Sequence, residues 1–263
     1  MDWSNRSWQK EDEALGPKRK VGNRGSQHRP HVIGSFHSTK MNRVVEYESL
    51  SEYLFLSLLE LDNQTVRYYT QPVEIPVPYL DKHGKPCNWI HVPDVLVFRQ
   101  ENVPHLYQVK DLSAEPSEKD QRVNTYCTKY ALERGWAYSV VHPKSIPSVV
   151  AQNAKFLMGF LQPRMGFETL IPEVVSRLAF LRSAAIEELS RGFQGKAHPL
   201  QVLPVIYHLI ANGTFVTNIN DGINEFSEVR LASGQNGGAN FLAWEGQNGH
   251  QSAKSQLGTG ILR

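Results

Sequence analysis

A carboxylate, an amide and an ammonium group stand near one another in the stretch 93–110, at Asp94, Gln108 and Lys110. Mg²⁺ prefers hard oxygen ligands in octahedral geometry and keeps several waters, so a carboxylate with one or two carbonyl oxygens is enough to hold it. Asp94 would bind the cation, and the Gln108 side chain and the Val109 main-chain carbonyl would complete the protein ligands. Lys110 would stabilise negative charge on a phosphate or help to deprotonate an attacking water. The same spacing also describes a turn followed by a surface lysine.

A β-hairpin is the element that would bring these residues together. Residues 95–98 form a short apolar run that predicts a buried strand, and residues 105–110 alternate like a second strand. The polar, proline-bearing segment 99–104 suits the loop between them. Two adjacent antiparallel strands would place Asp94 beside the end of the second strand, where side chains two apart share a face.

A helix earlier in the chain offers a further carboxylate, Glu52. Ser49 can cap this helix, and Glu52 follows three residues later, which is the spacing of a capping box. The predicted apolar face of the helix comprises Leu50, Tyr53, Phe55, Leu54, Leu58 and Leu61. Glu52 could reach the cation, with Glu48 one turn earlier, or it could serve only as a capping residue on a solvated face.

The remaining elements complete a sheet with helices. Residues 66–77 are β-like, and their prolines favour an edge or bulged strand; Gln71 within them could lie near the site or be an exposed edge residue. A helix is predicted over 115–134 and a buried strand over 136–142. This order describes an α/β or α+β sheet with helices packed on its faces.

The C-terminal part predicts a second, smaller unit after a junction near 162–166. Helices are predicted over 172–189, with a proline in the first turn, and over 198–211. Two short strands follow, at 214–217 and 226–231. Helix, helix and β-hairpin fit a small winged-helix-like domain, and from residue 233 the chain turns to Gly, Gln, Asn and Ser.

The first 45 residues are basic, with nine Lys or Arg against four Asp or Glu, a net charge of +5. Residues 1–30 are predicted to be mostly unstructured. They could form an arm that follows a phosphate backbone, or a solvated tail without such a role.

Composition limits the class of protein. The 263 residues are 40% hydrophobic and 10% aromatic, as in ordinary globular proteins. No stretch has the roughly 18 apolar residues of a membrane span, and the N-terminal segment lacks the order of a signal peptide. Two cysteines, Cys87 and Cys127, show no metal-ligand spacing. A reducing, cytosolic location is predicted.

Taken in order, these motifs resemble the PD-(D/E)XK nuclease superfamily and, more narrowly, the TnsA family, the endonuclease subunits of heteromeric transposases. The segments that carry the resemblance are RVVEYESLSE (43–52), YYTQPVEI (68–75), HVPDVLVF (91–98), LYQVK (106–110) and GWAYSVVHP (135–143). The resemblance covers residues 31–160 well and 170–231 more loosely. In this family a glutamine commonly stands where the superfamily has Asp or Glu, as Gln108 does, and the second of two glutamates at the helix start is the catalytic one, which favours Glu52 over Glu48.

The resemblance implies a restriction-endonuclease-like mixed sheet flanked by helices, with a small C-terminal winged-helix-like domain. The implied organisation is a basic arm (1–30), a nuclease domain (31–162), a winged-helix-like domain (163–232) and a polar tail (233–263). Glu52, Asp94, Gln108 and Lys110 would be catalytic, and the metal would be Mg²⁺, with Mn²⁺ able to replace it.

The implied activity is hydrolysis of the 5′ ends of a mobile DNA element by in-line attack of water. The implied partners are double-stranded DNA, an integrase-type transposase that cuts and joins the 3′ ends, and an AAA+ ATPase regulator. No membrane is implied; the location would be the bacterial cytoplasm, at the nucleoid. The alternatives are a stand-alone restriction or repair nuclease, which would cut without partners, and a non-catalytic DNA-bridging subunit.

Overall fold

The computed structural model of the chain describes residues 2–3, 6–19, 32–111, 115–233 and 242, and these form a mixed α/β fold. The elements up to residue 141 are α1 (Gln9–Ala14), β1 (Gly34–Ser38), β2 (Arg43–Tyr47), α2 (Leu50–Leu61), β3 (Thr65–Thr70), β4 (Ile75–Leu80), β5 (Pro86–His91), β6 (Val95–Arg99), β7 (His105–Val109), α3 (Glu118–Leu132) and β8 (Ala137–Val141). After a 3₁₀ turn (Pro143–Ser145) come α4 (Ser148–Met158), α5 (Phe167–Leu181), β9 (Ser183–Ala185), α6 (Ile186–Arg191), α7 (Pro199–Ala211), β10 (Phe215–Val216) and β11 (Glu228–Leu231).

A four-stranded mixed sheet in the order β3-β6-β7-β8 lies at the centre of the fold. The pairs β3–β6 and β6–β7 are antiparallel, and β7–β8 is parallel. The apolar run of β6 is buried along residues 95–98, as expected for a strand covered on both faces. Helix α2 contacts β3 and β7, and α3 contacts β8, so helices flank the sheet. The predicted α/β class is therefore confirmed at this level.

A separate hairpin, β4–β5, interrupts the path from β3 to β6. The predicted single strand over 66–77 is in fact two strands, which separate at Gln71 and Pro72. At the tip of the hairpin the Asp81 carboxylate accepts the backbone N–H groups of His83 and Lys85, both at 2.8 Å. The hairpin leaves the sheet just after Gln71 and returns just before Asp94.

The helix predicted over 172–189 is wrong in its bounds. Helix α5 begins at Phe167, carries Pro172 in its second turn and ends at Leu181, where Arg182 takes a positive φ of 68°. Strand β9 and helix α6 follow. Apolar residues are buried on both sides of the break, so hydrophobic periodicity could not show where one helix stops.

Helix α4 was not predicted, although it joins the two parts of the chain. Its Val150, Ala154 and Leu157 are buried at helical spacing, and the helix packs against α2 and α7. The Asn153 side-chain amide donates to the main-chain carbonyls of Ile219 (2.9 Å) and Asp221 (2.8 Å). These bonds fix the loop before β11 to α4.

The N-terminal residues differ from the predicted unstructured arm. Trp3 is only 6% exposed, and the rings of Trp3 and Trp8 lie 5.1 Å and 5.0 Å from that of Phe98 on β6. Asp12 on α1 forms a bidentate ion pair with Arg67 on β3. Burial of Trp3 and partial burial of Trp8 offset the entropy lost on ordering the segment. Residues 20–30 of the predicted arm lie outside the described residues, as does most of the 233–263 tail.

Helix α2 begins as predicted, because the Ser49 hydroxyl accepts the N–H of Glu52 at 3.1 Å. The prediction that Leu50 belongs to the apolar face is wrong, since Leu50 is 54% exposed. Among the residues that the structure describes, every helix is too short or too polar to cross a bilayer.

Candidate functional site

Asp94 lies between the ends of β3 and β7 and is held rigidly. Its backbone N–H donates to the Tyr107 carbonyl (3.1 Å), and its carbonyl accepts the N–H of Gln71 (2.7 Å). The side chain is 7% exposed. Its Oδ2 atom accepts the Val109 N–H at 2.6 Å and a hydrogen bond from Nε2 of Gln108. Since both of these bonds end on Oδ2, Oδ1 is the oxygen left to bind a cation.

The Asp94 carboxylate is unusually basic. Burial, together with the negative charge of Glu52, raises the pKa of Asp94 from its ordinary value of 3.8 to about 7, although the Val109 N–H and the charges of Arg19 and Lys110 act in the opposite direction. The buried carboxylate of Asp94 and the partly buried carboxylate of Glu52 repel each other, and a cation between them would remove that repulsion.

We expect the metal-free protein to lose stability as the pH rises from about 4 to about 7. In this range the folded state still holds the Asp94 proton and the unfolded state does not, so folding binds a proton and stability falls with pH. The loss would be up to about 4 kcal/mol. Unfolding measured in EDTA across this range, as the difference between wild type and Asp94→Asn, tests it. Parallel curves for the two proteins would contradict it.

Glu52 occupies the first turn of α2, where the Ser49 cap fixes the start of the helix. Its Oε2 accepts the backbone N–H of Glu48 at 2.9 Å. Burial raises the pKa of Glu52, and the neighbouring Glu48 charge adds to this. Glu48 itself forms an ion pair with Arg19, at 2.5 Å. Of the two glutamates considered from sequence, Glu52 is thus the one whose charge acts on Asp94.

Gln108, near the end of β7, connects Asp94 to His91. The Gln108 side chain is buried; its Nε2 faces Asp94, and its Oε1 lies 2.9 Å from His91 Nε2. In this orientation the amide nitrogen orients the carboxylate, and a half-turn of the amide would be needed for its oxygen to meet a cation. Burial lowers the pKa of His91, which keeps the imidazole neutral near pH 7.

Lys110 follows β7, acts electrostatically on Asp94 and forms an ion pair at the start of α3. Its backbone N–H donates to the Val141 carbonyl at 2.9 Å, which continues the parallel pairing. Its Nζ lies 3.3 Å from Asp120 Oδ1, and the side chain is about half exposed. Because the ion pair is exposed, it is weak and leaves the ammonium group able to turn toward a phosphate.

Gln71 is strained and lies next to the site. Its φ of 51° is a left-handed conformation that costs a non-glycine residue about 1 kcal/mol or more. The side chain is 5% exposed, and its Oε1 has no hydrogen-bond partner among the described residues. A buried amide oxygen without a partner is the kind of group that binds a water or an ion.

The donor set fits a hard divalent cation. No group of three or more His, Cys, Asp or Glu side chains that could hold a metal occurs in the described part of the chain. The candidate ligands are two carboxylates, of Glu52 and Asp94, with the Gln108 amide oxygen and the Val109 carbonyl. Oxygen donors of this kind suit Mg²⁺, which retains waters, and not Zn²⁺.

The structure therefore brings Asp94, Gln108 and Val109 into direct contact and places Glu52 and Lys110 within electrostatic range of Asp94. Sequence reasoning did not find Arg19, because its neighbours at the site come from distant parts of the chain.

In the comparisons with known proteins, no family model and no curated protein sequence matches this chain. The resemblance to the TnsA family stays a prediction from the motifs quoted above.

Proposed function

We propose that this chain is a Mg²⁺-dependent DNA endonuclease, the subunit of a heteromeric transposase that hydrolyses the 5′ ends of a mobile element. One observation carries the proposal: the buried carboxylate of Asp94 lies within range of Glu52, Gln108 and Lys110, which come from α2 and from the end of β7. Separate elements converge on one acidic centre with a lysine beside it, as metal-assisted phosphodiester hydrolysis requires.

The chemistry assigns a task to each side chain. A divalent cation at Glu52 and Asp94 would supply positive charge to the phosphate and make water a better nucleophile. The Val109 N–H and Gln108 hold Asp94 in place for it. In the reaction the water oxygen attacks phosphorus and gives up a proton to solvent, the P–O bond to the opposite oxygen breaks, and that oxygen takes up a proton from solvent. Lys110 would stabilise the charge that grows on the phosphate.

Positive charge around the site supports a DNA substrate. Burial lowers the pKa of His91 most, and the charges of Lys110, Arg19 and Lys119 also lower it. The tip of the β4–β5 hairpin, at the end far from Gln71 and Asp94, also exposes Lys82 and Lys85. Cations near two carboxylates favour a polyanionic substrate.

In this proposal the sheet is a restriction-endonuclease-like core, and the C-terminal elements form a winged-helix-like domain. Their order is helix, strand, helix, helix and two strands, and the small sheet runs β10-β11-β9. Helix α7 would be the third helix of that domain. It contains no Lys or Arg and is largely buried. Such a helix is poorly suited to DNA, which favours a protein partner, the AAA+ regulator, for this part of the chain.

The basic charges of residues 20–31 provide a test of the proposed DNA contact. Replacing Lys20, Arg24 and Arg29 with glutamine should weaken binding to the element ends and lower the slope of log K against log salt by about 0.9 for each phosphate that is no longer neutralised. Full deletion of residues 1–30 is a poorer experiment, because it also removes the packing of Trp3 and Trp8 on Phe98. A slope unchanged from wild type would mean that these charges do not touch DNA.

The proposed function is tested by reconstitution. The chain should cut the 5′ ends in Mg²⁺ when the integrase-type transposase and the ATPase are present. Efficient cutting of plain DNA by the purified chain alone would favour the stand-alone nuclease. A third outcome is wild-type protein that cleaves no DNA and shows no heat of Mg²⁺ binding that depends on Asp94. It would contradict both nuclease proposals and favour the DNA-bridging role.

A further inference from the structure

The residues that lead up to Arg19 are hydrogen-bonded to the chain beside the candidate site. The Lys18 N–H donates to the Gln71 carbonyl at 2.9 Å, and the Gln71 N–H donates to the Asp94 carbonyl at 2.7 Å. Two backbone hydrogen bonds thus connect Lys18 to the central carboxylate residue. The unusual φ of Gln71 accompanies this arrangement, in which its N–H and carbonyl bond to separate segments.

The Arg19 side chain lies beside the glutamates at the start of α2. Its guanidinium is 2.5 Å from Glu48 Oε2, and the Glu48 N–H donates in turn to Glu52 Oε2 at 2.9 Å. The Arg19 side chain is 46% exposed. Lys110 forms an ion pair with Asp120 at the start of α3. Two cations from different parts of the chain therefore act on the Asp94 carboxylate.

We propose that Arg19 is a phosphate-binding residue of the nuclease site, which exchanges Glu48 for a DNA phosphate when substrate binds. The planar guanidinium presents two parallel N–H groups that match phosphate oxygens, and a lysine cannot do this. The Arg19 side chain is about half exposed, and an ion pair with such a partner contributes little, so Arg19 can leave Glu48. A divalent cation on Glu52 and Asp94 would also repel the guanidinium from the carboxylates toward the phosphate. This inference rests on the proposed nuclease function.

A purely structural role explains the side chain less well. The N-terminal segment is already anchored by burial of Trp3, by the Asp12–Arg67 ion pair and by the Lys18 backbone hydrogen bond. None of these needs the Arg19 guanidinium. Anchoring the N-terminal segment therefore does not explain why an arginine stands at this position, whereas binding of a phosphate would.

The experiment measures the affinity of the full chain for a short DNA duplex by fluorescence anisotropy, in Ca²⁺ and in EDTA. Ca²⁺ is a hard cation that suits the same oxygen ligands. Ca²⁺ should raise the DNA affinity of wild type, and in Arg19→Ala this increase should be smaller by a factor of about ten or more, because a charge-assisted hydrogen bond to phosphate is removed. Arg19→Lys should lose part of it. Lys18→Ala is the matched control: it removes the same charge one residue away, from a side chain that bonds to the Ala14 carbonyl, and should change the affinity less than about twofold.

Glu48→Gln separates the two roles, because it breaks the same ion pair from the other side. It should leave the Ca²⁺-dependent affinity unchanged or higher. A loss in Glu48→Gln equal to that in Arg19→Ala would overturn the proposal, and so would equal affinities for Arg19→Ala and Lys18→Ala. If Asp94→Asn abolishes cleavage while Arg19→Ala binds and cuts like wild type, the Arg19 inference fails alone. If wild type shows neither metal-dependent DNA affinity nor cleavage, the proposed function and the inference about Arg19 are both wrong.

Discussion

Asp94→Asn is expected to abolish Mg²⁺-dependent cleavage of the element's 5′ ends, with the rate falling by at least about 1,000-fold. The carboxylate is held through Oδ2 by the Val109 N–H and by Gln108, so its other oxygen can meet a cation. Asparagine keeps the size of the side chain and removes the charge that would hold the metal. End-labelled DNA resolved on a denaturing gel measures the rate.

The same substitution should not damage the fold. Burial raises the pKa of Asp94, so the ionised carboxylate is costly to bury, and a neutral amide of the same shape should be tolerated as well or better in EDTA at pH 8. Glu133→Gln, at an exposed position after α3, is the control and should keep full activity. Asp94→Asn protein that folds and cuts at the wild-type rate would remove Asp94 from the site.

Lys110→Ala is expected to lower the cleavage rate at saturating DNA by about 100-fold or more. Its ammonium group would act on the charge that develops during the reaction, so the loss should appear in the rate more than in DNA affinity. The ion pair with Asp120 is exposed, and its removal should change the free energy of unfolding by less than about 1 kcal/mol.

Asp120→Asn shows whether that ion pair matters by itself. It removes the same ion pair but keeps the lysine, so cleavage should stay near the wild-type rate. Asp120 also completes the capping box of α3, so the assay must run well below the unfolding temperature of the variant. Equal losses in Asp120→Asn and Lys110→Ala would assign Lys110 a structural role only.

Much of the site could be predicted because its elements are local in sequence. The apolar run at 95–98, the alternation at 105–110 and the loop between them determine a hairpin, and the hairpin places Asp94 beside Gln108. The capping signal of Ser49 and Glu52 is equally local, and the structure shows the Ser49 hydroxyl accepting the Glu52 N–H. In each case neighbouring residues decide the conformation.

Other features depend on contacts that no local pattern contains. Trp3 and Trp8 sit in a polar, basic segment, and only Phe98, far along the chain, gives them a surface to pack on. Arg19 reaches the site through Lys18 and Gln71 for the same reason. The break between α5 and α6 is hidden because both helices bury apolar residues at a compatible spacing.

The central claim is that this chain makes a metal-dependent cut that needs Asp94. The most direct measurement maps strand cleavage on labelled element-end DNA, with the transposase and ATPase present, for wild type and Asp94→Asn in Mg²⁺ and in EDTA. We expect cleavage at the 5′ ends only by wild type and only in Mg²⁺. The same cut in EDTA, or by Asp94→Asn, would contradict the claim.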